Sequence, residues 1–364
     1  MKRTIVRTAA ALLAAVLLYP CGANAISAKK AIVMDATTGR CLYEKDADSR
    51  SLIASTTKIM TALIICEQCN VLDRMKVPKE AVGIEGSSIY LKEGEVLTLQ
   101  ELLYGMMLHS GNDAAAALAI YCGGTMEGFA QLMNDKAHLL GMKNTHFVNP
   151  HGLDAPEHYS TARDLALLAA YAMKNPIFAQ TVSTKTVKIG QRSLRNHNKL
   201  LWQLNGADGV KTGYTKAAGR LLVSSAERQG RRLVAVTIDD GNDWVDHAHL
   251  LNSGFLNYQL CQIVTAGQCL GSVEILSGVE TRVNVLAAKD FSYSLAENEK
   301  PQILLQPPGF VYAPVKQGSE AGFAYICIGD TAIGKIPVIY EKSVEELSSP
   351  KKPFWKKWIE RIIL

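Results

Sequence analysis

The sequence predicts an α/β domain followed by a small all-β domain. In the first two thirds of the chain, strand-like segments lie at both ends and helical runs lie between them. The last third contains only short β-type segments with Gly and Pro turns. The length of 364 residues also favours two domains, because single hydrophobic cores seldom grow beyond ~250–300 residues.

The first 25 residues have the pattern of a secretory signal peptide. Three cations precede an apolar run from Ala9 to Leu18, and Ala23-Asn24-Ala25 supplies small residues for cleavage. The run is shorter than the ~20 residues that a membrane span requires. We therefore expect cleavage after Ala25 and export of the mature chain.

The α/β domain opens with a predicted hairpin and a buried helix. Residues 31–49 contain two short strand-like segments around the turn-forming Thr37-Thr38-Gly39. After a polar stretch, an almost unbroken apolar run predicts a helix that begins near Ser55. Two more helical runs follow, and Ser110-Gly111 separates them.

The middle of this domain is predicted to be helical, and its end is predicted to be extended. One amphipathic helix ends at Gly141, and the next has a Ser/Thr cap and Asp164 in its first turn, and stops at Pro176. Four strand-like pieces joined by glycine-containing turns lie within residues 182–238. A last helix is predicted in residues 247–260. The sheet should therefore draw strands from both ends of the domain.

The character of the chain changes after about Cys261, where helical periodicity ends. The segments beyond it are short, rich in β-branched residues and separated by Gly and Pro. The predicted organisation is a signal peptide, an α/β domain, a small β domain, and a linker with a terminal helix, at residues 1–25, 26–262, 263–342 and 343–364.

The C-terminal sequence SSPKKPFWKKWIERIIL has the pattern of a membrane-surface helix. Six apolar residues form one stripe and four charged residues form the other. The segment is too short to span a bilayer, but a basic helix with two tryptophans can lie among lipid headgroups. Packing of this helix on its own domain is the alternative. The apolar stripe consists of Phe354, Trp355, Trp358, Ile359, Ile362 and Ile363.

Charge and cysteine content exclude several classes of function. Three of the +5 formal charges lie in the leader, so the mature chain has too weak a positive field to indicate nucleic-acid binding. Seven cysteines remain after the leader, an odd number that predicts at least one free thiol. Cys66 and Cys69 have the spacing of half a zinc or redox site, but no second pair or His cluster completes it. We expect them to pack in the core, and we assign no metal.

Ser55 and Lys58 are candidates for nucleophilic catalysis. Their spacing alone is weak evidence, because Ser27 and Lys30 share it, and Ser55 could simply cap a helix while Lys58 is solvated. However, the predicted helix formed by the sequence IMTALIIC after Lys58 has almost no polar face. Desolvation lowers the pKa of an ammonium, so a neutral Lys58 could take the proton of Ser55. The start of the helix would also stabilise an oxyanion formed there.

Two further motifs strengthen this interpretation. Ser110-Gly111-Asn112 lies at the break between two helices, where a hydroxyl and an amide can point into a cleft. Lys211-Thr212-Gly213 opens a predicted strand, and its glycine lets a ligand backbone approach closely. Singly, Ser110 could be a cap and Lys211 an edge-strand charge. Together with Ser-x-x-Lys and a signal peptide, they match the motif set of penicillin-binding proteins and class A β-lactamases.

From about Ala31 to Tyr340, the sequence resembles the low-molecular-weight penicillin-binding proteins, specifically serine-type D-alanyl-D-alanine carboxypeptidases. The stretches that carry the resemblance include IASTTKIMTALI, MLHSGNDAAAALA, KNTHFVNPHGLD and GVKTGYTKAAGRLLVSSAE. The resemblance implies a penicillin-binding-protein/serine β-lactamase-like domain, with helices packed on an antiparallel sheet, before the small β domain. It also fits an amphipathic anchor at the outer face of the cytoplasmic membrane.

The resemblance implies a serine carboxypeptidase that removes the terminal D-alanine from peptidoglycan stem peptides. Ser55 would attack the carbonyl between the two D-alanines, with Lys58 as general base. Ser110 would relay a proton to the leaving amine, and water would hydrolyse the acyl-enzyme. β-Lactam antibiotics would act as inhibitors, and no metal or organic cofactor would be needed.

The resemblance also implies roles for the residues that bind substrate. Asn112 and Lys211 would order Lys58, Ser110 and the substrate. Thr212 would bind the terminal carboxylate, and the backbone N–H groups of Ser55 and Tyr214 would form the oxyanion hole.

One departure leaves the anchor of the substrate carboxylate open. Some relatives place an arginine beyond the Lys-Thr-Gly strand, but this chain has DGNDWVDHAHLL there. Arg220 and His247 are the candidates, and a surface role for either is an equal alternative.

Three alternative functions follow from the same motifs. A β-lactamase would need a deacylating glutamate, and only Glu157 is nearby. A non-catalytic cell-wall binding module would be expected to have lost part of the set of three motifs, Ser-x-x-Lys, Ser-x-Asn and Lys-Thr-Gly. All three are intact in this chain. A D,D-endopeptidase that cleaves peptide crosslinks would use every residue named above.

Overall fold

The computed structural model describes residues 26–347. The predicted signal peptide and the amphipathic segment at 350–364 lie outside these residues. Within the described range, no helix is both long and apolar enough to cross a bilayer. By their internal contacts, the residues divide into two units. The second unit combines three separate segments, Val33–Leu42, Glu227–Leu233 and the chain from Leu251 onward.

The central sheet has five strands in the order β2-β1-β9-β8-β7. The predicted hairpin is present, because Gly39 turns the chain with φ +75° and the Asp35 carboxylate accepts hydrogen bonds from the amides of Thr37 and Thr38. Strands β7 and β8 pair antiparallel. The five strands are β1 Lys30–Asp35, β2 Cys41–Lys45, β7 Ala207–Thr215, β8 Gly219–Arg228 and β9 Arg231–Ile238.

Eight α-helices lie within the described residues, and side-chain caps mark the start of several. Thr98 and Glu101 form a capping box, and the Thr161 side chain accepts from the Asp164 amide. The predicted break at Ser110-Gly111 separates α2 from α3. The helices are α1 Lys58–Gln68, α2 Leu99–Leu108, α3 Asn112–Gly123, α4 Met126–Leu139, α5 Ala162–Ala172, α6 Pro176–Ser183, α7 Leu200–Gln203 and α8 Asp243–Asn257.

Helix α6 corrects the interpretation of Pro176 as a simple stop. The Asn175 side chain accepts from the amides of Ile177 and Phe178 and so caps a new helix. Proline fits the first turn of a helix, because its missing N–H is not needed there. Residues 177–181 were assigned to no element, and Val182 and Ser183 were predicted to be extended; all of them are helical.

Two small pairs complete the region between the helices. Strand β3 Arg74–Lys76 pairs antiparallel with β4 Val96–Thr98. Strand β5 Thr186–Ile189 pairs in the same way with β6 Arg192–Arg195. Strands β3, β4 and β6 and helix α7 were not predicted as separate elements.

The C-terminal region of the second unit is all β, and the predicted fold class is confirmed. Its larger sheet has the order β14-β16-β17-β12-β11-β15; only β11 and β15 pair parallel. Strand β10 pairs with β13. Buried aliphatic side chains on these strands form one core. The strands are β10 Tyr258–Val264, β11 Cys269–Leu276, β12 Arg282–Ala287, β13 Phe291–Ala296, β14 Pro301–Gln306, β15 Phe310–Tyr312, β16 Glu320–Ile328 and β17 Thr331–Tyr340.

The second unit also contains a buried ion pair between distant parts of the sequence. Arg231 Nε donates to Asp35 Oδ2 at 2.7 Å across a sequence separation of 196 residues. Both side chains are buried. The backbone of Ala36 also donates to the carbonyl of Arg232 at 2.9 Å. The first strand is thus held to a strand formed much later in the chain.

Candidate active site

Ser55 lies in a tight turn before α1. Residues Ala54–Thr57 form one turn of 3₁₀ helix, and the α-helix continues from Lys58. Ala54 has φ +45°, a conformation that residues with a side chain seldom adopt and that is common beside functional groups. Ser55 is half-buried, while the threonines after it are buried. The turn therefore directs one hydroxyl toward the solvent-accessible side.

Lys58 is fully buried and contacts Ser55 directly. Its Nζ lies 3.0 Å from Ser55 Oγ, 2.6 Å from Asn112 Oδ1 and 2.5 Å from the main-chain oxygen of His151. These three contacts fix the amine in one position. The sequence-based alternative of a solvated lysine is wrong.

The environment of Lys58 favours its neutral form. Burial is the main cause that lowers its pKa well below the usual value for lysine, and the positive charge of Lys211 lowers it further. The carboxylate of Asp113 has the opposite, smaller effect. A neutral amine 3.0 Å from a hydroxyl has the geometry of a general base.

Ser110 and Lys211 form a second hydroxyl–amine pair. Ser110 has φ +65° in the turn between α2 and α3, and Lys211 Nζ lies 3.1 Å from its Oγ. Lys211 also donates to the main-chain oxygen of Thr212 at 2.8 Å. Burial lowers the pKa of Lys211 to about 7. Its ammonium therefore changes charge near neutral pH.

Asn112 connects the lysine to the helix break. Its Oδ1 accepts from Lys58, and its Nδ2 donates to the main-chain oxygen of Glu85 at 2.5 Å. Its own backbone amide donates to the oxygen of Ser87 at 2.7 Å. The side chain is therefore held at both ends, which fixes Lys58 in turn.

The Lys-Thr-Gly strand approaches the Ser55 turn closely at Gly213. A Cβ placed on Gly213 would lie 3.2 Å from Thr56 Cγ2 and 3.3 Å from the backbone nitrogen of Ser55. These distances are tighter than ordinary side-chain contacts. Only glycine lets β7 lie this close to the turn.

A cavity of about 300 Å³ opens between these elements. Ser55, Ser110, Thr212, Gly213 and Tyr214 all line it. The structure therefore brings together every residue that the three motifs predicted, with Lys58, Asn112 and Lys211 buried behind the cavity wall.

A loop after α4 also positions Lys58, and sequence reasoning assigned it no role. The oxygen of His151 accepts from Lys58, and a Cβ on Gly152 would lie 1.9 Å from the Ala54 oxygen. Asn149 Oδ1 accepts from the Gly152 amide at 2.7 Å and so closes the loop. The sequence Asn-Pro-His-Gly was the available signal, because glycine and asparagine there indicate a tight turn.

A buried histidine supports the Ser55 turn from behind. The Val148 amide donates to His158 Nδ1, and His158 Nε2 lies 2.8 Å from Thr57 Oγ1. The Thr57 hydroxyl donates to the oxygen of Ala54. Burial lowers the pKa of His158 to about 4, so the ring is neutral near pH 7 and donates through Nε2 to Thr57.

The two candidate carboxylate anchors differ in position. Arg220 lines the cavity and is paired with Asp243 at 2.7 Å. His247 is fully buried away from it, where Thr237 Oγ1 lies 2.9 Å from Nε2, and burial lowers its pKa to about 3. Only Arg220 is therefore placed to meet a ligand. Glu157 is exposed and does not line the cavity, which removes the one acid considered for a β-lactamase.

Cys66 packs as the sequence predicted. Its side chain is buried on α1, and burial raises the pKa of its thiol to about 12. Burial likewise raises the pKa of the half-buried Cys69 to about 12. Neither thiol is a nucleophile near neutral pH.

Family models match both parts of the chain. The model described as D-alanyl-D-alanine carboxypeptidase matches residues 19–242. The model described as penicillin-binding protein 5, C-terminal domain, matches residues 258–346. The two matches together cover most of the sequence.

Several characterised proteins are similar over nearly the same length. D-alanyl-D-alanine carboxypeptidase DacC of Escherichia coli (strain K12) is 33% identical over 89% of this chain and 86% of its own. D-alanyl-D-alanine carboxypeptidase DacF of Bacillus subtilis (strain 168) is 30% identical over 88% of this chain and 86% of its own. The crystal structure of penicillin binding protein 5 from Haemophilus influenzae superposes with a TM-score of 0.78 at 27% identity, covering 88% of this chain and 98% of that one.

Proposed function

The chain belongs to the D-alanyl-D-alanine carboxypeptidase family, and from this membership we propose how its own residues divide the reaction. It is a serine-type carboxypeptidase of peptidoglycan stem peptides. Ser55 is the nucleophile and Lys58 is its general base. The contact of 3.0 Å between Ser55 Oγ and the fully buried Lys58 Nζ is the observation that carries this assignment.

Acylation begins when the neutral amine of Lys58 takes the proton of Ser55. The alkoxide oxygen attacks the carbonyl carbon of the penultimate D-alanine, and negative charge develops on the carbonyl oxygen. The backbone N–H groups of Ser55 and Tyr214 form the oxyanion hole that stabilises this charge. The close approach of Gly213 to the Ser55 amide supports this role, because it brings the two donors to one end of the cavity.

Ser110 completes the step on the side of the leaving group. As the C–N bond breaks, the departing amine needs a proton, and the hydroxyl of Ser110 supplies it from the protonated amine of Lys58 or Lys211. Lys211, 3.1 Å from Ser110 Oγ, orders this hydroxyl. Thr212 binds the carboxylate of the terminal D-alanine, and Arg220, which lines the cavity while paired with Asp243, is placed to contact it. Water then hydrolyses the ester on Ser55 and releases the shortened stem.

The decisive experiment is mass spectrometry of the intact mature protein after exposure to penicillin. A β-lactam retains its departing amine within the adduct, so the ester on Ser55 should be long-lived. Ser55→Ala should give no adduct. Lys58→Arg should slow adduct formation by at least about a hundredfold, because guanidinium stays protonated near neutral pH.

The chain offers a matched control in its other Ser-x-x-Lys pair. Ser27→Ala and Lys30→Arg alter residues with the same spacing that do not line the cavity, and both variants should form the adduct at the wild-type rate. Peptide mapping of an adduct to any residue other than Ser55 would refute the mechanism. D-alanine release from diacetyl-Lys-D-Ala-D-Ala tests turnover directly.

We infer the location of the protein from the sequence patterns near its two termini. The basic and apolar leader supports export with cleavage after Ala25, and the stripe around Trp355 and Trp358 supports attachment to the membrane surface. The catalytic domain at 26–262 then acts at the outer face of the cytoplasmic membrane, and the β domain at 263–342 lies between it and the anchor in sequence.

A further inference from the structure

Two buried carboxylates of the stretch DGNDWVDHAHLL face the first residues of the mature chain that cleavage after Ala25 would produce. Asp240 Oδ1 lies 2.7 Å and Asp246 Oδ2 lies 2.8 Å from the hydroxyl oxygen of Ser27. The backbone amide of Ser27 also donates to Asp246 Oδ2 at 2.6 Å. We call the two carboxylates the acid pair. Both side chains are buried, and the catalytic steps derived above give them no role.

The acid pair lacks a counter-charge. In the described part of the chain, no cation forms a salt bridge with either carboxylate. The single hydroxyl proton of Ser27 can go to only one of them. Among the described residues, Asp240 Oδ2 has no hydrogen-bond partner, although the residue is 0% exposed. A buried oxygen without a donor is costly, which indicates that a donor belongs beside it.

The electrostatics of the acid pair show the same deficit. Burial is the main cause that raises the pKa of Asp240, and the charge of Asp246 also raises it, whereas hydrogen bonds with three neighbours oppose the shift. Asp246 lies in the first turn of α8, where the helix amides favour a negative charge. Asp240 precedes the helix and lacks this stabilisation. A cation placed between the two carboxylates would stabilise both charges.

Cleavage after Ala25 would create such a cation within reach. Water adds across the Ala25–Ile26 peptide bond, which leaves a carboxylate on Ala25 and an α-ammonium with three N–H donors on Ile26. By standard backbone dimensions, the nitrogen of Ile26 is at most about 3.7 Å from the nitrogen of Ser27. It therefore lies within roughly 6 Å of the Asp246 carboxylate before any rotation of the backbone.

Other contacts hold the start of the mature chain against the same segment. Lys45 Nζ donates to the oxygen of Ile26 at 3.0 Å and to that of Ala28 at 2.7 Å. The backbone amide of Lys29 donates to the oxygen of Asp239 at 3.2 Å, and its Nζ pairs with the Asp239 carboxylate at 2.7 Å. Both lysine side chains are thus bonded to groups other than the acid pair.

We propose that Asp240 and Asp246 form a binding site for the α-ammonium that cleavage creates on Ile26. This inference rests on the proposed cleavage after Ala25. Before cleavage, the nitrogen of Ile26 is a neutral amide with one N–H. After cleavage, the same nitrogen has a positive charge and enough donors to satisfy both carboxylates.

The binding site adjoins the wall of the active-site cavity. The backbone amide of Asp240 donates to the oxygen of Arg220 at 3.0 Å. Asp243 pairs with the Arg220 guanidinium at 2.7 Å, and Arg220 lines the cavity. The α-ammonium therefore stabilises the segment between β9 and α8 that positions Arg220, and the uncleaved chain lacks this stabilisation.

The test compares two chains that have the same charges. One begins at Ile26, and the other begins at Ala25 and so holds its α-ammonium one residue, about 3.8 Å, further from the acid pair. At about pH 6 both α-amines are protonated. We expect the equilibrium constant for unfolding in denaturant to be about tenfold larger for the chain that begins at Ala25, because its ammonium cannot reach both carboxylates.

Asp240→Asn should affect these two chains differently. In the chain that begins at Ile26, it removes a partner of the ammonium and should raise the unfolding constant about tenfold. In the chain that begins at Ala25, it removes an uncompensated buried charge and should leave the constant unchanged or lower it. Asp239→Asn is the matched control, because the Asp239 carboxylate pairs with Lys29. It should change the unfolding constant of both chains equally.

Acetylation of the α-amine tests the contact without reference to stability. An amine in an ion pair stays protonated and is a poor nucleophile, so trace acetic anhydride at about pH 7 should modify Ile26 about tenfold more slowly than the α-amine of the chain that begins at Ala25. Peptide mapping by mass spectrometry measures both rates.

The outcomes separate the binding site from the cleavage. Equal acetylation rates, or an equal effect of Asp240→Asn on the two chains, would overturn the binding site. Sequencing of the exported protein that finds a first residue other than Ile26 would instead overturn the proposed cleavage, and with it the natural occupant of the site.

Discussion

At the scale of single residues, the site depends on two buried lysines with different tasks. In the proposed mechanism, Lys58 must lose its proton to act as a base, whereas Lys211 acts as a cation that orders Ser110 and attracts the substrate. Burial lowers the pKa of both, and each positive charge makes a second one more costly. The arrangement works best in a pH range where Lys58 is neutral and Lys211 is charged.

The plot of the second-order rate constant for acylation by penicillin against pH should therefore be bell-shaped. As pH rises through the pKa of Lys58, the amine becomes a base and the second-order rate constant rises. As pH rises through about 7, the pKa of Lys211, its cation is lost and the rate constant falls. Lys211→Arg should move the alkaline limb upward, because guanidinium stays charged. If the alkaline limb stays at the same pH in that variant, the limb reports the titration of a group other than Lys211.

Sequence motifs predicted the side chains of the site but not its main-chain contacts. Ser55, Lys58 and Lys211 could be found because their chemistry is tied to residue type and spacing. The main-chain oxygen of His151, which accepts a hydrogen bond from Lys58, could not be found in this way. Every residue has such an oxygen, and only the tertiary structure brings this one close to Lys58. The sequence also did not reveal that His247 lies outside the site, because the polarity of a residue does not show whether its ring is buried.

At the scale of elements, the site is formed where β7 lies against the turn before α1. The strand supplies Thr212 and Tyr214, and the turn supplies Ser55 with its amide. Gly213 sets their separation, because it has no side chain to hold them apart. Local patterns predicted both elements. Their contact is tertiary, and short-range periodicity contains no information about it.

Gly213→Ala should therefore impair catalysis more than stability. The added Cβ would lie 3.3 Å from the Ser55 nitrogen and would move this proposed oxyanion-hole donor, so acylation should slow by about tenfold or more. The matched control is Gly309→Ala, where the added Cβ meets open space at a φ that other residues adopt. Equal acylation rates for both folded variants would show that the strand and the turn tolerate a wider gap.

The thiols of Cys66 on α1 and of Cys69 just beyond its end should matter for stability and not for chemistry. Cys66 is buried, so Cys66→Ala/Cys69→Ala should lower the free energy of unfolding by about 1 kcal/mol through lost packing. Denaturant unfolding measures this change. Penicillin should still form its adduct with the folded double variant, and complete loss of the adduct would contradict core packing as the role of these residues.

At the scale of the whole molecule, the sequence predicted two domains but not which segments combine. The second unit includes Val33–Leu42 and Glu227–Leu233, both of which the sequence places in the α/β domain. A strand pairs according to the tertiary arrangement, and its local pattern looks the same on either side of a boundary. The predicted domain limits at 262 and 342 therefore mark positions where the sequence pattern changes.

The C-terminal segment should attach the mature protein to membranes. Flotation with liposomes that contain anionic lipid should recover the protein with residues 350–364 and not a variant that lacks them. Each cation near the surface contributes ~1 kcal/mol on an anionic leaflet. Replacing Phe354, Trp355 and Trp358 with serine keeps every charge and should also abolish flotation. Equal flotation of the full and shortened chains would place the attachment elsewhere.

The pairing of β1 with β9 limits how early in synthesis the central sheet can be completed. The Asp35–Arg231 contact joins residues 196 positions apart, and at 5–20 residues per second the later partner appears roughly 10–40 s after the earlier one. Until then the sheet that includes the Lys-Thr-Gly strand cannot close. Ser55 is synthesised early, but Tyr214, the second donor of the proposed oxyanion hole, is absent for most of this interval. In the proposed mechanism, the nascent chain therefore cannot be acylated at Ser55 until β7, β8 and β9 have been synthesised and have paired.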